Sequence, residues 1–432
     1  MGAGFTADKY GRKMPIWAAC VIFTVGTVLQ TAAYSVAQFA VGRFIVGLGV
    51  GLAAMVVPLY IGELAPAKYR GRMIAFNNMS VTFGQLIASA IGAGLAEVPG
   101  EGWRGTVSIG AAPAVALGVM LFWVPESPRQ LVSHGRNEEA ESVLVKIYPT
   151  STPEQRKAKV TAIEMSINEA GASLRDESVL KGLKRIVSTP PTGRAVLTAC
   201  IIMAISQLGG FNTLMYYAAT LFSIVGFTNA TAVAITVSAT NFVFSLVNLA
   251  LVDRFGRRIL LVVTVLGMAI CMLIAAVAFN WIPVDLKTLA LEEGAKVGWA
   301  GNLVLVCIIC YVGFFSSGVA TIAWIGTELI PLEVRALGTM LNTVTCWSTN
   351  IIIASTFLSM MKGITPSGAM GFYSGICFTG WVFVVFCYPD VKGMPLESIR
   401  EVFRHGFGVR YSKQWQREHK HEKKEVQQVM GH

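Results

Sequence analysis

Charged residues are scarce in this sequence of 432 residues, because Asp, Glu, Lys and Arg together make up only 14% of it. Hydrophobic residues account for 54%, and the mean hydropathy is +0.58. A soluble protein of this length needs far more charge on its surface. The composition therefore excludes a soluble globular protein and indicates an integral membrane protein.

The sequence also lacks the residue patterns of a disulfide scaffold, a metal centre or a covalent catalyst. Its eight cysteines all fall in apolar runs, where neither disulfides nor metal sites are expected. No nucleophile with a neighbouring base stands out, and neutral amides occur within the apolar runs instead. We therefore expect no cofactor and no enzymatic activity, and the amides suit reversible binding.

Long apolar runs fill most of the chain. A run of about 18 or more such residues is long enough to cross a bilayer. Because lipid cannot satisfy open backbone groups and no alternating barrel pattern is present, these runs are predicted to be helices. Ten spans are predicted, at about residues 14–34, 37–60, 74–96, 105–124, 195–221, 230–252, 259–280, 302–327, 337–361 and 369–388.

The basic residues set the predicted orientation. If the first residues are cytosolic, the outward-facing segments carry only Arg104, Lys287, Lys296 and Lys362, and most other Lys and Arg face inside. This asymmetry predicts that both termini are cytosolic. The net charge of +10 then reflects topology and attraction to anionic lipid, so we expect no nucleic-acid partner.

Three short motifs occur twice in the same order along the chain. A duplicated half built from apolar spans is the usual plan of a secondary transporter. The pairs are Asp8–Lys13 with Asp253–Arg258, Glu63 and Arg70 with Glu328 and Arg335, and Pro125–Arg129 with Pro389–Gly393.

These patterns divide the chain into four predicted parts. Residues 1–125 are expected to form a truncated N-terminal helix bundle, and residues 195–388 a C-terminal six-helix bundle. Residues 126–194 hold abundant charge and no spanning run, so we interpret them as a cytosolic helical linker. Residues 389–432 hold too few large apolar residues to build a domain, so we expect a solvated cytosolic tail.

The stretch from Pro58 to Gly71 fits the pattern P-x-Y-x-x-E-x-x-P-x-x-x-R-G. Together with the paired D-x-x-G-R-[RK] motif and PESPR at Pro125–Arg129, it resembles the sugar porter family of the major facilitator superfamily. The resemblance covers nearly the whole chain and implies an all-α membrane protein with the two-bundle fold of that superfamily. Since such proteins have twelve spans, the chain is expected to begin at the loop after the second.

The resemblance also implies a cytosolic gate, in which ion pairs at helix ends lock the inner face in the outward-open state. The alternative is that these charges only determine topology. The expected gate residues are Asp8, Arg12, Glu63, Arg70, Asp253, Arg257, Glu328 and Arg335.

The opening of the second half contains the main candidate binding site. Gly209 and Gly210 interrupt an apolar run, and discontinuous helices near the midplane are where transporters place substrate sites. Amides can both donate and accept, which suits a polyhydroxylated ligand. The alternative is a kinked, hydrogen-bonded core helix. The polar residues of this stretch are Ser206, Gln207, Asn212, Tyr216 and Tyr217.

This stretch is similar to the family's Q-Q-x-x-G-x-N-x-x-x-Y-Y motif, which implies substrate contact. Ser206 departs from the first Gln of that motif and puts a pure glucose preference in doubt. An indole packs well on the apolar C–H face of a sugar. A lone Gln85 is more typical of helix packing, but its position matches a substrate-contacting glutamine of the family. By position, the resemblance adds Gln85, Asn241, Trp324, Trp347 and Asn350 to the binding site.

Arg43 lies within a predicted span, where a charge normally has a partner facing the bundle interior or a watery cavity. The alternative is that Arg43 reaches back to the outer headgroups. Arginine stays protonated in proteins, so Arg43 cannot itself carry a transported proton. The resemblance places a partner carboxylate on the first helix of the fold, so we expect Arg43 to act in proton coupling.

Details of spacing refine the expected function. Trp324 precedes Glu328 by four residues, and this spacing, PESPRQ at Pro125–Gln130 and the segment Gly210–Tyr216 resemble the fungal myo-inositol transporters. We predict a plasma-membrane importer of myo-inositol, or a related polyol or sugar, that uses proton symport and alternating access. The alternatives are a facilitative hexose carrier and a nutrient sensor that binds substrate without moving it.

Overall fold

A computed structural model describes residues 10–66, 69–96, 98–149, 151–174, 179–227, 229–285, 290–291, 298–331, 334–391, 394, 401–404 and 406–418. Within these ranges some helical side chains are not described, and those of Arg70, Asp253, Glu328 and Arg335 are among them. Asp8 lies outside the described residues. The chain forms two compact units, residues 1–176 and 177–432, which we call the first and second units.

The first unit is helical throughout its described part. Small residues let α1 and α2 approach closely, because a Cβ on Gly42 would lie 3.0 Å from the backbone nitrogen of Gln30. Short helices α6 to α8 form a small apolar core of their own around Leu131, Val143 and Leu144. The elements are α1 Lys13–Thr31, α2 Val36–Leu64, α3 Arg70–Ala96, α4 Gly102–Ile109, α5 Ala111–Met120, α6 Pro128–Ser133, α7 Asn137–Ile147 and α8 Pro153–Leu174.

The second unit has one large apolar core, in which Phe222, Tyr311 and Tyr373 are almost completely buried. Its α13 packs between α14 and α17, and α10 packs on α16. The elements are α9 Val179–Ser188, α10 Pro190–Leu208, α11 Phe211–Val225, α12 Ala230–Phe255, α13 Arg257–Phe279, β1 Val284–Asp285, β2 Ala290–Leu291, α14 Trp299–Phe314, a π-turn Phe315–Val319, α15 Ala320–Ile325, a 3₁₀ turn Gly326–Leu329, α16 Arg335–Gly363, α17 Thr365–Cys387 and α18 Val409–Glu418.

In the described part of the chain, nine helical segments are long and apolar enough to cross a membrane. They correspond to nine of the ten predicted spans, and α10 and α11 count together as one segment, Pro190–Val225. The predicted span at residues 105–124 is also largely helical, but a break at Gly110 divides it into α4 and α5. The antiparallel strands β1 and β2, two residues each, are a small exception to the all-helical prediction.

The expectation of a solvated tail is wrong for residues 401–418. Val402 and Phe403 are fully buried, and Tyr411 and Trp415 of α18 pack against the main core. The Arg194 guanidinium donates a hydrogen bond to the Phe403 carbonyl at 3.1 Å. This segment holds too few large apolar residues to build a core of its own. A few apolar side chains are enough because they cover a core that the helices already provide.

Candidate functional site

The break between α10 and α11 is fixed by close packing. Gly210 has a φ of +97°, in the left-handed region that favours glycine. A Cβ there would lie 3.0 Å from the Tyr373 ring, so no larger residue fits without movement. On the same side, the Tyr311 hydroxyl donates to the Gly209 carbonyl at 2.8 Å. The sequence therefore interrupts the helix at this point and anchors both glycines.

Polar groups converge on Gln207, at the end of α10. Its side-chain oxygen accepts a hydrogen bond from the Asn212 amide of α11. The same oxygen lies 3.4 Å from the Asn350 amide nitrogen of α16, which also donates to it. Three of the predicted binding residues, from three helices, thus meet at one oxygen atom. We call Gln207, Asn212 and Asn350 the amide cluster.

The two adjacent tyrosines of α11 have different surroundings. Tyr217 has a non-helical backbone, and its hydroxyl donates to the Ala354 carbonyl of α16 at 2.9 Å. Its ring centroid lies 5.3 Å from that of Phe357. Tyr216 is 58% exposed. Tyr217 therefore attaches α11 to α16, whereas Tyr216 has a ring that is open to a ligand.

Asn241 lies against the π-turn that follows α14. It accepts a hydrogen bond from the Ser316 hydroxyl at 2.7 Å. Asn248, two turns further along α12, donates to the Ser316 carbonyl at 2.8 Å and to the Thr321 hydroxyl at 2.7 Å. π-turns are frequent at functional sites. Sequence reasoning missed Ser316, Asn248 and Thr321, although the seven-residue spacing from Asn241 to Asn248 indicates a shared helix face.

The remaining predicted contacts of the second unit differ in burial. Trp324, at the end of α15, is 46% exposed, and Trp347, one turn before Asn350 on α16, is 44% exposed. Both indoles are therefore partly exposed, and neither is enclosed in the core. Ser206 is buried at the end of α10, beside the amide cluster.

Two predicted residues belong to the first unit. Gln85 lies in the middle of α3 and is partly exposed. Arg43 lies on α2 and is exposed, with its guanidinium carbon 5.2 Å from the centroid of the Phe39 ring.

A buried charge cluster occupies the start of α1 and the end of α2. The Arg12 guanidinium binds Glu63 through two hydrogen bonds, at 3.2 and 3.1 Å, and both side chains are 8% exposed. Ser127 also donates to Glu63, at 2.5 Å. The Glu126 carboxylate accepts from the backbone N–H groups of Arg12 and Lys13 at 3.0 and 3.1 Å, a favourable place for a negative charge.

Backbone conformation and close packing explain why the DKYGRK motif has a glycine at position 11. Its φ is +89°, and a Cβ would lie 2.6 Å from a carboxylate oxygen of Glu126. Gly256, at the same place in the second copy of the motif, also has a positive φ, +84°. Arg257 is partly buried there, and Arg258 donates to the Val385 carbonyl at 2.8 Å. The structure leaves the other gate residues, Asp8 and the four undescribed side chains, untested.

We expect Gly210→Ala to destabilise the protein by about 1–3 kcal/mol, because an L-residue at this φ is strained and its Cβ contacts Tyr373. The control is Gly51→Ala in α2, where a Cβ meets nothing within 4 Å. Denaturant unfolding in detergent measures both variants. Equal stability of the two variants would contradict the assigned role of the helix break.

Curated relatives share most of this chain. Myo-inositol transporter 1 of Cryptococcus neoformans var. grubii is 41% identical over 414 residues, which cover 96% of this chain and 73% of the relative. Myo-inositol transporter 1 of Candida albicans is 39% identical, with coverage of 96% and 75%. These similarities agree with the resemblance to fungal myo-inositol transporters that the sequence indicated.

Solved structures of the xylose transporter XylE from E. coli have the same fold. A partially occluded inward-open form gives a TM-score of 0.72 at 26% identity, covering 91% of this chain and 84% of XylE. The form bound to 6-bromo-6-deoxy-D-glucose, described as a proton:xylose symporter, gives 0.71 at 25% identity, with coverage of 93% and 85%. The predicted major facilitator superfamily fold is therefore confirmed. The family described as "Sugar (and other) transporter" matches residues 1–403, and the chain belongs to this family of membrane transporters.

Proposed function

We propose that this protein is a secondary active transporter that imports myo-inositol, or a closely related polyol or sugar, by proton symport and alternating access. The observation that carries the proposal is the amide cluster at the helix break, where Gln207, Asn212 and Asn350 share one oxygen. The names of the fungal relatives support myo-inositol as the substrate.

The amide cluster suits a ring that carries a hydroxyl on every carbon. Each hydroxyl both donates and accepts, as each amide does. Without substrate the Asn212 and Asn350 amides both donate to the Gln207 oxygen, so these three groups are not left unpaired. A ligand hydroxyl can replace one amide partner when it binds. Packing on the apolar C–H face of the ligand is proposed for the exposed rings of Tyr216 and Trp347 and for Trp324, which is 46% exposed.

Ser206 and the polar residues near the π-turn complete the proposed site. Ser206 offers one hydroxyl where the family motif has an amide, so this position has fewer hydrogen-bonding groups. Asn241 is held by Ser316 at the π-turn and can exchange that bond for a substrate hydroxyl. Gln85 remains a proposed substrate contact because its position matches the substrate-contacting glutamine of the family. Ser206 puts a pure glucose preference in doubt.

Proton coupling is assigned to Arg43. A fixed positive charge inside a span favours a nearby carboxylate in its ionised form, so protonation of that group can be linked to substrate binding. XylE, which shares the fold, is described as a proton symporter. The protons and the polyol are therefore the proposed small-molecule partners, and the bilayer is the surrounding medium.

The charges at the helix ends are proposed to form the cytosolic gate. The Arg12–Glu63 pair and its contacts to Ser127 and Glu126 support this role for the first unit. The location is proposed to be the plasma membrane with both termini cytosolic, on the basis of the distribution of Lys and Arg along the sequence.

Uptake of labelled myo-inositol tests this function, in cells that lack their own inositol carriers and express the chain extended upstream by the first two spans of the family fold. We expect saturable uptake that excess glucose does not compete for and that a protonophore abolishes. Equal competition by glucose, with no effect of the protonophore, would identify a facilitative hexose carrier. Binding of labelled inositol to purified protein, with no uptake, would identify a sensor.

A further inference from the structure

Arg43 is held by an aromatic ring on its own helix. It lies seven residues after the start of α2 at Val36, which places it about 10 Å along the helix. Its guanidinium carbon is 5.2 Å from the centroid of Phe39, one turn earlier, within cation–π range. Among the ion pairs recorded for the described residues, none involves Arg43.

Phe39 is in turn held by a residue of another helix. The centroids of Phe39 and Trp103 are 5.9 Å apart, and the rings meet at 73°, the edge-to-face arrangement that aromatic pairs prefer. Trp103 lies on α4, so this contact joins α2 to α4. The Phe39 ring therefore has a fixed orientation at the point where it faces the Arg43 guanidinium.

Trp103 is fixed by a second arginine. The Arg104 guanidinium carbon lies 5.1 Å from the Trp103 ring and 5.2 Å from the Tyr34 ring. Arg104 also donates to the Ala33 carbonyl at 3.0 Å, which attaches it to the connection between α1 and α2. A continuous series of contacts thus runs from the α1–α2 connection through α4 to Arg43.

Few other groups near Arg43 can titrate. Between Met14 and Thr31, α1 has no charged side chain and one thiol, Cys20. In α2 no charged residue lies between Arg43 and Glu63. The other charged or titratable groups described at this end of α1, α2 and α4 are Tyr34, Glu101 at the start of α4, and Arg104; no ion pair between Glu101 and Arg43 is recorded among the described residues. Orientation of the Arg43 guanidinium therefore depends on the aromatic contacts.

We propose that Phe39 and Trp103 are positioning residues for Arg43, which hold its guanidinium in the orientation that proton coupling requires. This inference rests on the proposed coupling role of Arg43. A long arginine side chain has many rotamers, and a ring fixed on one side limits them. The opposite side of the guanidinium stays open to the carboxylate that coupling needs.

The test measures two rates in proteoliposomes, using labelled myo-inositol and the chain extended upstream by the first two spans of the family fold, because the first of them carries the expected partner carboxylate of Arg43. Accumulation driven by an imposed pH gradient depends on coupling, whereas equilibrium exchange without a gradient does not. We expect Phe39→Leu and Trp103→Leu to reduce accumulation by about three- to fivefold, the effect of losing one cation–π contact, with exchange nearly unchanged. Phe39→Trp retains a ring and restores accumulation. The matched control is Phe44→Leu, beside Arg43 on the same helix and 69% exposed.

The outcomes separate this inference from the function on which it rests. In one outcome, Arg43→Gln abolishes myo-inositol accumulation while the Phe39→Leu and Trp103→Leu variants accumulate as much as the unmodified protein. That result would overturn the positioning role and leave the coupling role of Arg43 intact. If Arg43→Gln accumulates normally, the coupling role and the positioning role both fall. Loss of exchange together with accumulation in Phe39→Leu and Trp103→Leu, at normal expression, would show a general packing role and would also overturn the inference.

Discussion

Gln207→Ala is expected to lower the affinity for myo-inositol by about 10- to 100-fold, which corresponds to a loss of about 1–3 kcal/mol. Gln207 supplies the oxygen to which Asn212 and Asn350 both donate, so its removal leaves two amides without their shared acceptor. It also removes an amide nitrogen that can donate to the ligand. The concentration dependence of initial uptake, together with equilibrium binding to purified protein, measures the effect.

A second buried glutamine provides the control for Gln207. Gln30 of α1 is 3% exposed and donates only within its own helix, to the Gly26 carbonyl at 3.4 Å. Gln30→Ala is expected to change stability but not substrate affinity. Unchanged affinity in Gln207→Ala, or an equal loss in both variants, would contradict the assignment of the amide cluster as the binding site.

Glu63→Gln is expected to destabilise the first unit by about 3 kcal/mol, because the substitution leaves the Arg12 guanidinium buried without its counter-charge. The amide keeps the shape of the carboxylate, so lost packing contributes little. The substitution also removes the negative charge from the group that accepts the Ser127 hydrogen bond. Denaturant unfolding of purified protein in detergent measures the change.

The matched control for Glu63 is an exposed pair in the same unit. Arg136 and Glu139 also form an ion pair, at 2.6 Å, but their side chains are 57% and 55% exposed. Glu139→Gln is therefore expected to cost less than about 1 kcal/mol. If the two variants lose equal stability, burial does not strengthen the Arg12–Glu63 pair, and the charge cluster has no special structural role.

The helix break and its polar neighbours could be predicted in part from the sequence. Gly209 and Gly210 interrupt an apolar run, so a discontinuous helix with Gln207 and Asn212 on either side follows from local chemistry. The contact with Asn350 could not be derived in this way, because that residue is 143 positions from Gln207 and reaches it through helix packing. Family resemblance alone indicated Asn350.

The charge cluster shows the same limit. The family resemblance placed Arg12 and Glu63 in one set of ion pairs, and the structure records an ion pair between them. The role of Glu126 was not foreseen, because it binds backbone N–H groups at the start of α1 and not a charged side chain. Residues of opposite charge in matched motifs can indicate a side-chain ion pair. A carboxylate that accepts hydrogen bonds from backbone N–H groups at the start of a helix has no charged partner in the sequence to indicate it.

The π-turn and the packed tail depend on tertiary contacts that local sequence does not encode. Asn248 holds the Ser316 carbonyl from a different helix, and this carbonyl belongs to the π-turn. In the tail, the aromatic side chains are too few to form a core but sufficient to cover an existing one. In both cases the local sequence is compatible with several structures, and packing selects one.

Simultaneous measurement of proton and inositol movement tests the central proposal most directly. Proteoliposomes contain an internal pH-sensitive dye and the purified chain, extended upstream by the first two spans of the family fold. They are given an inward gradient of labelled myo-inositol, with equal pH on both sides. Symport predicts that the interior acidifies as inositol enters, with a fixed ratio of protons to inositol, and that an imposed pH gradient then drives accumulation. Inositol entry without acidification, ending at equal concentrations on both sides, would contradict proton-coupled transport.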